Sequence, residues 1–214
     1  GDTTYGGADK AGHFMTGYIG TALFAWAHRS WGLSRKEAAW RGAATSMLGM
    51  TMIEVGDSLS EDYGFSFGDL VFDALGCAAG YLNEVSPWFH RTVDLRWEYL
   101  PTDRALEEGD TPTGDYDGSA FLVAVNVGAL ASDQPVIWDL LDVQAGYQVR
   151  GYTSPDDYEK GRYVFAGIGL NLANLLRRMN FPYAGFFDYY QALYISLRYG
   201  YNLDDDDMGF VWPR

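Results

Sequence analysis

Cysteine is nearly absent from this chain, with Cys77 the one example among 214 residues. A single thiol excludes an internal disulfide and any metal site built from several cysteines. The neighbours of Cys77 in the sequence, GCAAG, are small and apolar. The sequence therefore predicts a packed thiol in the protein interior.

Basic residues are also scarce. The chain has 15 Lys and Arg against 29 Asp and Glu, which gives a formal net charge of −14 at pH 7. Such a charge repels phosphate backbones, so we expect no nucleic-acid partner. It also argues against electrostatic attraction to anionic lipid headgroups.

The chain lacks long hydrophobic runs and common catalytic motifs. Its longest uncharged apolar stretch is Phe14–Ala27, whereas a membrane-spanning helix needs roughly 20 residues. No signal peptide is visible in the polar opening GDTTYGG. HExxH, GxSxG, Walker A and CxxC motifs are absent, which removes the commonest enzyme templates. Whether the protein is an enzyme stays open at this point.

Aromatic residues, by contrast, are abundant. They make up 16% of the chain, with 16 Tyr, 12 Phe and 7 Trp. Amphipathic rings are typical of interfaces, including the membrane–water interface, and also of protein cores. The composition favours neither interpretation over the other.

Three helices are predicted in the N-terminal part of the chain. They run over about residues 9–31, 34–55 and 66–83. Gly32 ends the first helix, and a capping box formed by Ser34 and Glu37 begins the second. Ser66 and Asp69 form the same signature, with Asp in place of Glu, at the start of the third.

The C-terminal part is typical of a β-rich segment. Residues 141–152 alternate between apolar and polar side chains, as a half-buried strand does. Two further strands are predicted at 163–172 and 193–201, and a short helix at 171–179. Residues 119–131 are ambiguous between helix and strand. We therefore predict an α+β protein with antiparallel strands. Its predicted parts are a helical domain at 1–100, an acidic linker or loop at 101–118 and a β-rich segment at 119–214.

Polar residues and glycines share one face on each of two predicted helices. These residues are Asp9, His13, Gly17 and Gly20 on the first helix, and Asp69, Asp73, Gly76 and Gly80 on the third. Glycines allow another backbone to approach closely, so we expect the two helices to pack along these faces and bring His13 near Asp73. The second helix adds Glu54 and Asp57 near its C-terminal end, where acidic side chains are unfavourable for the helix dipole.

These positions form a candidate cluster of His13, Glu54, Asp57 and Asp73, with Asp9, Lys10 and Asp69 nearby. Asp9 is most simply a helix N-cap and Asp69 the acid of its capping box. The other members admit two interpretations. They form either a buried hydrogen-bond network, with Lys10 neutralising a carboxylate, or a functional site. In the second case, His13, Glu54 and Asp73 suit a divalent metal, and His13 also suits acid–base chemistry.

Three motifs carry a resemblance to a known family. They are DKAGHF at residues 9–14, EVGD at 54–57 and GFSFGDLVFDALGCAAG at 64–80. This pattern resembles the YfiM-type family of predicted bacterial periplasmic lipoproteins over about residues 5–85. It is also remotely similar to the VanZ-like membrane proteins. The resemblance implies a cell-envelope location and a domain of unknown function, and it assigns no catalytic role to any residue. Cys77 lies in the third helix and not in a lipobox.

Together these observations predict a non-catalytic accessory or scaffolding protein on the periplasmic side of the inner or outer membrane. Its expected partner is an envelope protein complex or a membrane surface. The alternative is a metal-dependent hydrolase acting on lipid or cell-wall substrates, with His13 as ligand or base and Glu54, Asp57 and Asp73 as ligands. A membrane-embedded helical unit would require apolar outer surfaces on all three helices.

Overall fold

A computed structural model describes residues 5–59, 64–130, 135–153, 159–191 and 195–211. The chain divides into two compact units. We call residues 9–90 the helical unit, and residues 91–214 together with 1–8 the sheet unit. The predicted α+β class is confirmed.

The helical unit contains three long helices and one short one. They are α1 (Ala8–Ser30), α2 (Arg35–Asp57), α3 (Phe67–Val85) and α4 (Pro87–Thr92). The first three agree with the predicted helices to within about two residues. Ser34 and Ser66 are the N-caps of α2 and α3, because each hydroxyl accepts a hydrogen bond from the backbone N–H three residues later.

Glycines set the spacing of the long helices. A Cβ atom on Gly76 of α3 would overlap the carbonyl oxygen of Phe14 in α1. A Cβ on Gly17 of α1 would lie 2.7 Å from the carbonyl oxygen of Asp73, and one on Gly42 of α2 would lie 2.7 Å from that of Thr21. The predicted glycine-lined contacts are therefore confirmed, and Cys77 is buried beside them.

The inner and outer faces of this unit are inverted relative to a water-soluble bundle. Several polar side chains are buried: Thr21, Ser46, Glu54, Asp69, Asp73 and Asn83. Large apolar side chains on all three long helices are at least half exposed: Leu23, Trp26, Leu48, Met52, Val71 and Leu75. Within the described ranges, no helix combines the length and apolar character needed to cross a membrane.

The sheet unit is built on seven strands. They are β1 (Val93–Tyr99), β2 (Ser119–Asn126), β3 (Leu141–Arg150), β4 (Gly161–Leu170), β5 (Tyr190–Gln191), β6 (Ser196–Asn202) and β7 (Asp207–Phe210). Their order in the sheet is β5-β1-β2-β3-β4-β6-β7. Every neighbouring pair is antiparallel except β1 and β5, which are parallel.

The three predicted strands are present. β3, β4 and β6 match the segments expected to alternate, and the ambiguous stretch 119–131 begins with strand β2. A short helix, Leu172–Arg178, follows β4 as predicted. Strand β1 was not predicted, and residues 193–194 of the last predicted strand lie outside the described residues.

Residues 101–118, expected to be a linker or loop, connect β1 with β2 inside the sheet unit. They contain a short helix, α5 (Asp103–Glu108), with Thr102 as its N-cap. The fully buried Asp115 accepts hydrogen bonds from the backbone N–H and the hydroxyl of Thr102, at 2.8 and 2.9 Å. This carboxylate holds the two ends of the connection together.

The two faces of the sheet differ in polarity. One face carries buried polar side chains: Arg96, Glu98, Asp142, Gln144 and Arg198. A small apolar core of Ala120, Leu122, Phe165 and Val211 lies on this side as well. The opposite face carries apolar side chains that are more than half exposed and in register across neighbouring strands, among them Val143, Ile168 and Leu197.

The glycine contacts predict a difference between two Gly→Ala substitutions in the helical unit. Gly76→Ala forces α1 and α3 apart, so we expect it to lower the free energy of unfolding by about 1–3 kcal/mol. Gly49→Ala in α2 has no atom within 4 Å of its new Cβ and is expected to raise it by about 0.5–1 kcal/mol. Urea denaturation of both variants measures the difference, and equal tolerance of the two would contradict the packing described here.

Candidate functional site

The candidate site lies where α1 and α3 are in contact. His13 projects from the second turn of α1, and its Nδ1 is 3.0 Å from Oδ1 of Asp73 in α3. Asp73 is fully buried, whereas 18% of the His13 side chain is exposed. Gly17 lies one turn after His13 and brings the α1 backbone against the Asp73 carbonyl. The glycine contact therefore places the imidazole beside the carboxylate.

Glu54 enters the same cluster from the C-terminal end of α2. Its Oε2 accepts a hydrogen bond from the backbone N–H of Ser66 at 3.0 Å, and its Oε1 lies 3.8 Å from Nδ1 of His13. In a capping box the acid three residues after the N-cap accepts that N–H. Here Glu54 takes this role from Asp69, so one side chain joins the end of α2, the start of α3 and His13.

Asp69 is consequently available to another partner. Its Oδ1 accepts a hydrogen bond from Nζ of Lys10 at 2.6 Å, which fulfils the expectation that Lys10 neutralises a carboxylate. Asp9 lies in the first turn of α1, because this helix begins at Ala8, and the N-cap interpretation of Asp9 was wrong. Its Oδ1 is 3.7 Å from Nε2 of His13.

The protonation of the cluster reflects burial and the surrounding charges. Burial alone lowers the pKa of His13, but the hydrogen bond and charge of Asp73, with the charges of Asp9 and Asp69, outweigh it and raise the pKa. Burial raises the pKa of Glu54 despite the Ser66 hydrogen bond. For Asp69, burial is opposed by the hydrogen bonds from Lys10 and Ser66, which lower its pKa. The surrounding carboxylates therefore favour the charged form of His13 more than water does around a free histidine.

The structure brings six of the seven candidate residues together. His13, Glu54 and Asp73 form one group and Asp9, His13 and Asp69 another, and the potential ligand atoms within each group lie within 4.8 Å of one another. Lys10 joins through Asp69. Asp57 is the exception: within the part of the chain that the structure describes, it belongs to neither group.

A buried polar network in the sheet unit was missed by the sequence analysis. Arg96 donates a hydrogen bond to Asp142 at 2.7 Å and is also paired with Asp94. Burial raises the pKa of Asp94 to about 7, although Arg96 opposes this shift. Strand β1 reads VDLRWEY, so the alternation of charged and apolar residues was a usable signal for this network.

The opposing effects on His13 predict how its pKa responds to a mutation. Asp73→Asn retains the size of the side chain but removes its charge, so we expect the pKa of His13 to fall. Asp57→Asn is the matched control and is expected to leave it unchanged. NMR titration of the imidazole protons measures both variants, and an unaltered pKa in Asp73→Asn would contradict the assignment.

A second consequence concerns stability. Because folding raises the pKa of His13, the protonated histidine stabilises the folded protein. This stabilisation is complete at pH values below the unfolded-state pKa near 6.5. It is lost as the pH rises through the folded-state pKa of His13.

Comparison with known proteins is informative for the helical part alone. Residues 1–85 match a family described as predicted periplasmic lipoprotein (DUF2279). Neither the curated proteins nor the solved structures include a significant match to this chain. The remote similarity to VanZ-like proteins finds no support in these comparisons, and neither does the hydrolase alternative. The family description agrees with the periplasmic, envelope-associated location expected from the sequence. The resemblance carried by the N-terminal motifs is thus confirmed: residues 1–85 match the predicted periplasmic lipoprotein family.

Proposed function

We propose that this envelope protein is an accessory or scaffolding component that associates with a membrane surface through its outer apolar faces. The observation that carries the proposal is the inverted polarity of both units, each of which buries polar side chains and exposes large apolar ones. Exposed apolar patches of this kind are typical of surfaces that contact a membrane or another protein.

In the helical unit, the inversion follows from the packing. Glycines and polar residues occupy the faces where helices meet, so the apolar residues have to point outward. Trp26, Trp40 and Trp88 are each more than half exposed. Tryptophan is enriched at the level of lipid headgroups, because its ring is apolar and its N–H is polar. This combination supports contact with a lipid interface.

The sheet unit supports the proposal independently. Val143, Ile168 and Leu197 are directly opposite one another on β3, β4 and β6, and Phe210 on β7 continues the same exposed face. Exposed apolar side chains therefore lie on the same face of four neighbouring strands. Its burial against lipid or protein would be favourable by about 25 cal/mol per Å² of apolar surface.

The net charge of −14 constrains how such a membrane contact works. Because anionic headgroups repel an acidic protein, attraction has to come from apolar burial. Apolar burial is not screened by salt, whereas electrostatic contacts are. We therefore expect binding to zwitterionic lipid that persists at high salt.

Flotation of the chain with phosphatidylcholine vesicles, in about 0.1 M and about 1 M salt, tests this proposal. We expect the protein to float at both salt concentrations. The Leu48→Gln, Met52→Gln double variant removes two exposed apolar side chains of α2, and we expect its partitioning to be at least tenfold weaker, since about 1.4 kcal/mol corresponds to a tenfold change.

Lys36→Gln is the matched control, because Lys36 is an exposed polar residue of the same helix. It is expected to bind as the wild type does. Failure of the wild-type chain to float, or an equal loss of binding in the control, would contradict membrane association. Self-association or capture by an envelope protein through the same faces would then favour the assembly role.

A further inference from the structure

The geometry points to a divalent-cation site formed by His13, Glu54 and Asp73 in the helical unit. The candidate ligand atoms are Nδ1 of His13 and one carboxylate oxygen from each acid, and they lie within 4.8 Å of one another. This inference is independent of the membrane contact proposed above, because it concerns the inner faces of the helices.

The distances between the ligand atoms are close to those around one ion. Two ligands at about 2.1 Å from a metal are about 3.0 Å apart at a right angle and about 3.4 Å apart at the tetrahedral angle. Nδ1 of His13 is 3.0 Å from Asp73 and 3.8 Å from Glu54. The oxygens of Glu54 and Asp73 lie within 4.8 Å of each other, so a movement of the Glu54 side chain toward Nδ1 and Asp73 would complete a three-ligand arrangement.

A second observation is an unpaired oxygen on Asp73. Its side chain is fully buried, yet Oδ2 has no hydrogen-bond partner among the described residues, while Oδ1 faces His13. Leaving a buried carboxylate oxygen unpaired is costly, and such an atom in a native structure calls for a partner such as a water molecule or an ion. A cation beside Nδ1 of His13 that is bound by both oxygens of Asp73 would satisfy it.

The neighbouring residues are arranged to support this role. Binding through Nδ1 leaves Nε2–H of His13 facing Oδ1 of Asp9, at 3.7 Å in the structure. A carboxylate that orients a metal-binding histidine through its second nitrogen is a common arrangement. Asp9 is thus a positioning residue, and the backbone N–H of Ser66 fixes the second oxygen of Glu54. Carboxylates outnumber cationic groups in the cluster, which favours a cation electrostatically.

The ligand set indicates the class of metal. One imidazole with two carboxylates suits a borderline divalent ion such as Zn²⁺ better than Mg²⁺, which prefers oxygen ligands alone. Three protein ligands would leave a fourth position open on Zn²⁺. The partial exposure of His13 provides an approach for the ion.

The test is calorimetric titration of the tag-free, metal-free full chain with Zn²⁺. We expect one ion per chain, at least tenfold weaker binding in Asp73→Asn and in His13→Gln, and unchanged binding in Asp57→Asn. Excess Mg²⁺ is expected to leave Zn²⁺ bound. Absence of binding in the wild type, equal affinity in Asp73→Asn, or an equal loss in Asp57→Asn would overturn the assignment.

An NMR titration of the wild type with Zn²⁺ tests the site even if a variant fails to fold. The chain has three histidines, namely His13, His28 and His90, so their imidazole NMR signals are readily distinguished. We expect Zn²⁺ to shift the His13 signals up to one equivalent and to leave those of His28 and His90 in place. A shift at His28 or His90 instead, or none at all, would refute the site.

Discussion

The contact between His13 and the fully buried Asp73 is the interaction on which the helical unit depends. A carboxylate without water requires a partner, since an unpaired buried charge is strongly destabilising. The imidazole reaches it at 3.0 Å because glycines allow the backbones of α1 and α3 to touch. Glu54 then connects α2 to the same point through Ser66. The close helix packing and the polar cluster are therefore two aspects of one constraint.

This constraint also determines the outer surface. Because the small and polar residues occupy the contacts between helices, the large apolar side chains remain on the outside. The sheet unit also buries polar side chains and exposes apolar ones, but for a different reason. A strand places alternate side chains on opposite faces of the sheet, and here the charged face is the buried one. The membrane contact and the cation site that we propose thus use opposite faces of the helices. A failure of one proposal would leave the other intact.

Much of the helical unit could be predicted from the sequence, because its signals are local. The capping residues Ser34 and Ser66 mark helix starts, and the spacing of His13, Asp73 and the glycines places them on facing surfaces. Glu54, and not Asp69, accepts the hydrogen bond from the Ser66 N–H at the start of α3. This could not be predicted from the sequence, since it depends on where the end of α2 lies in space. Asp57 was included by its proximity to Glu54 in the sequence, yet it is the last residue of α2 and lies almost one turn further along the helix axis. Strand β1 was missed although VDLRWEY alternates as a strand does. That its charged face is the buried one could not be predicted, because it depends on partners such as Asp142 on another strand.

His13 and Asp73 stabilise each other directly, and a double-mutant cycle is the sharpest test of this coupling. The free energies of unfolding of the wild type, His13→Gln, Asp73→Asn and the double variant give the coupling between the two side chains. A hydrogen-bonded pair with a buried charge predicts a coupling of about 1.5–3 kcal/mol. Additivity of the two single effects to within about 0.5 kcal/mol would contradict the account.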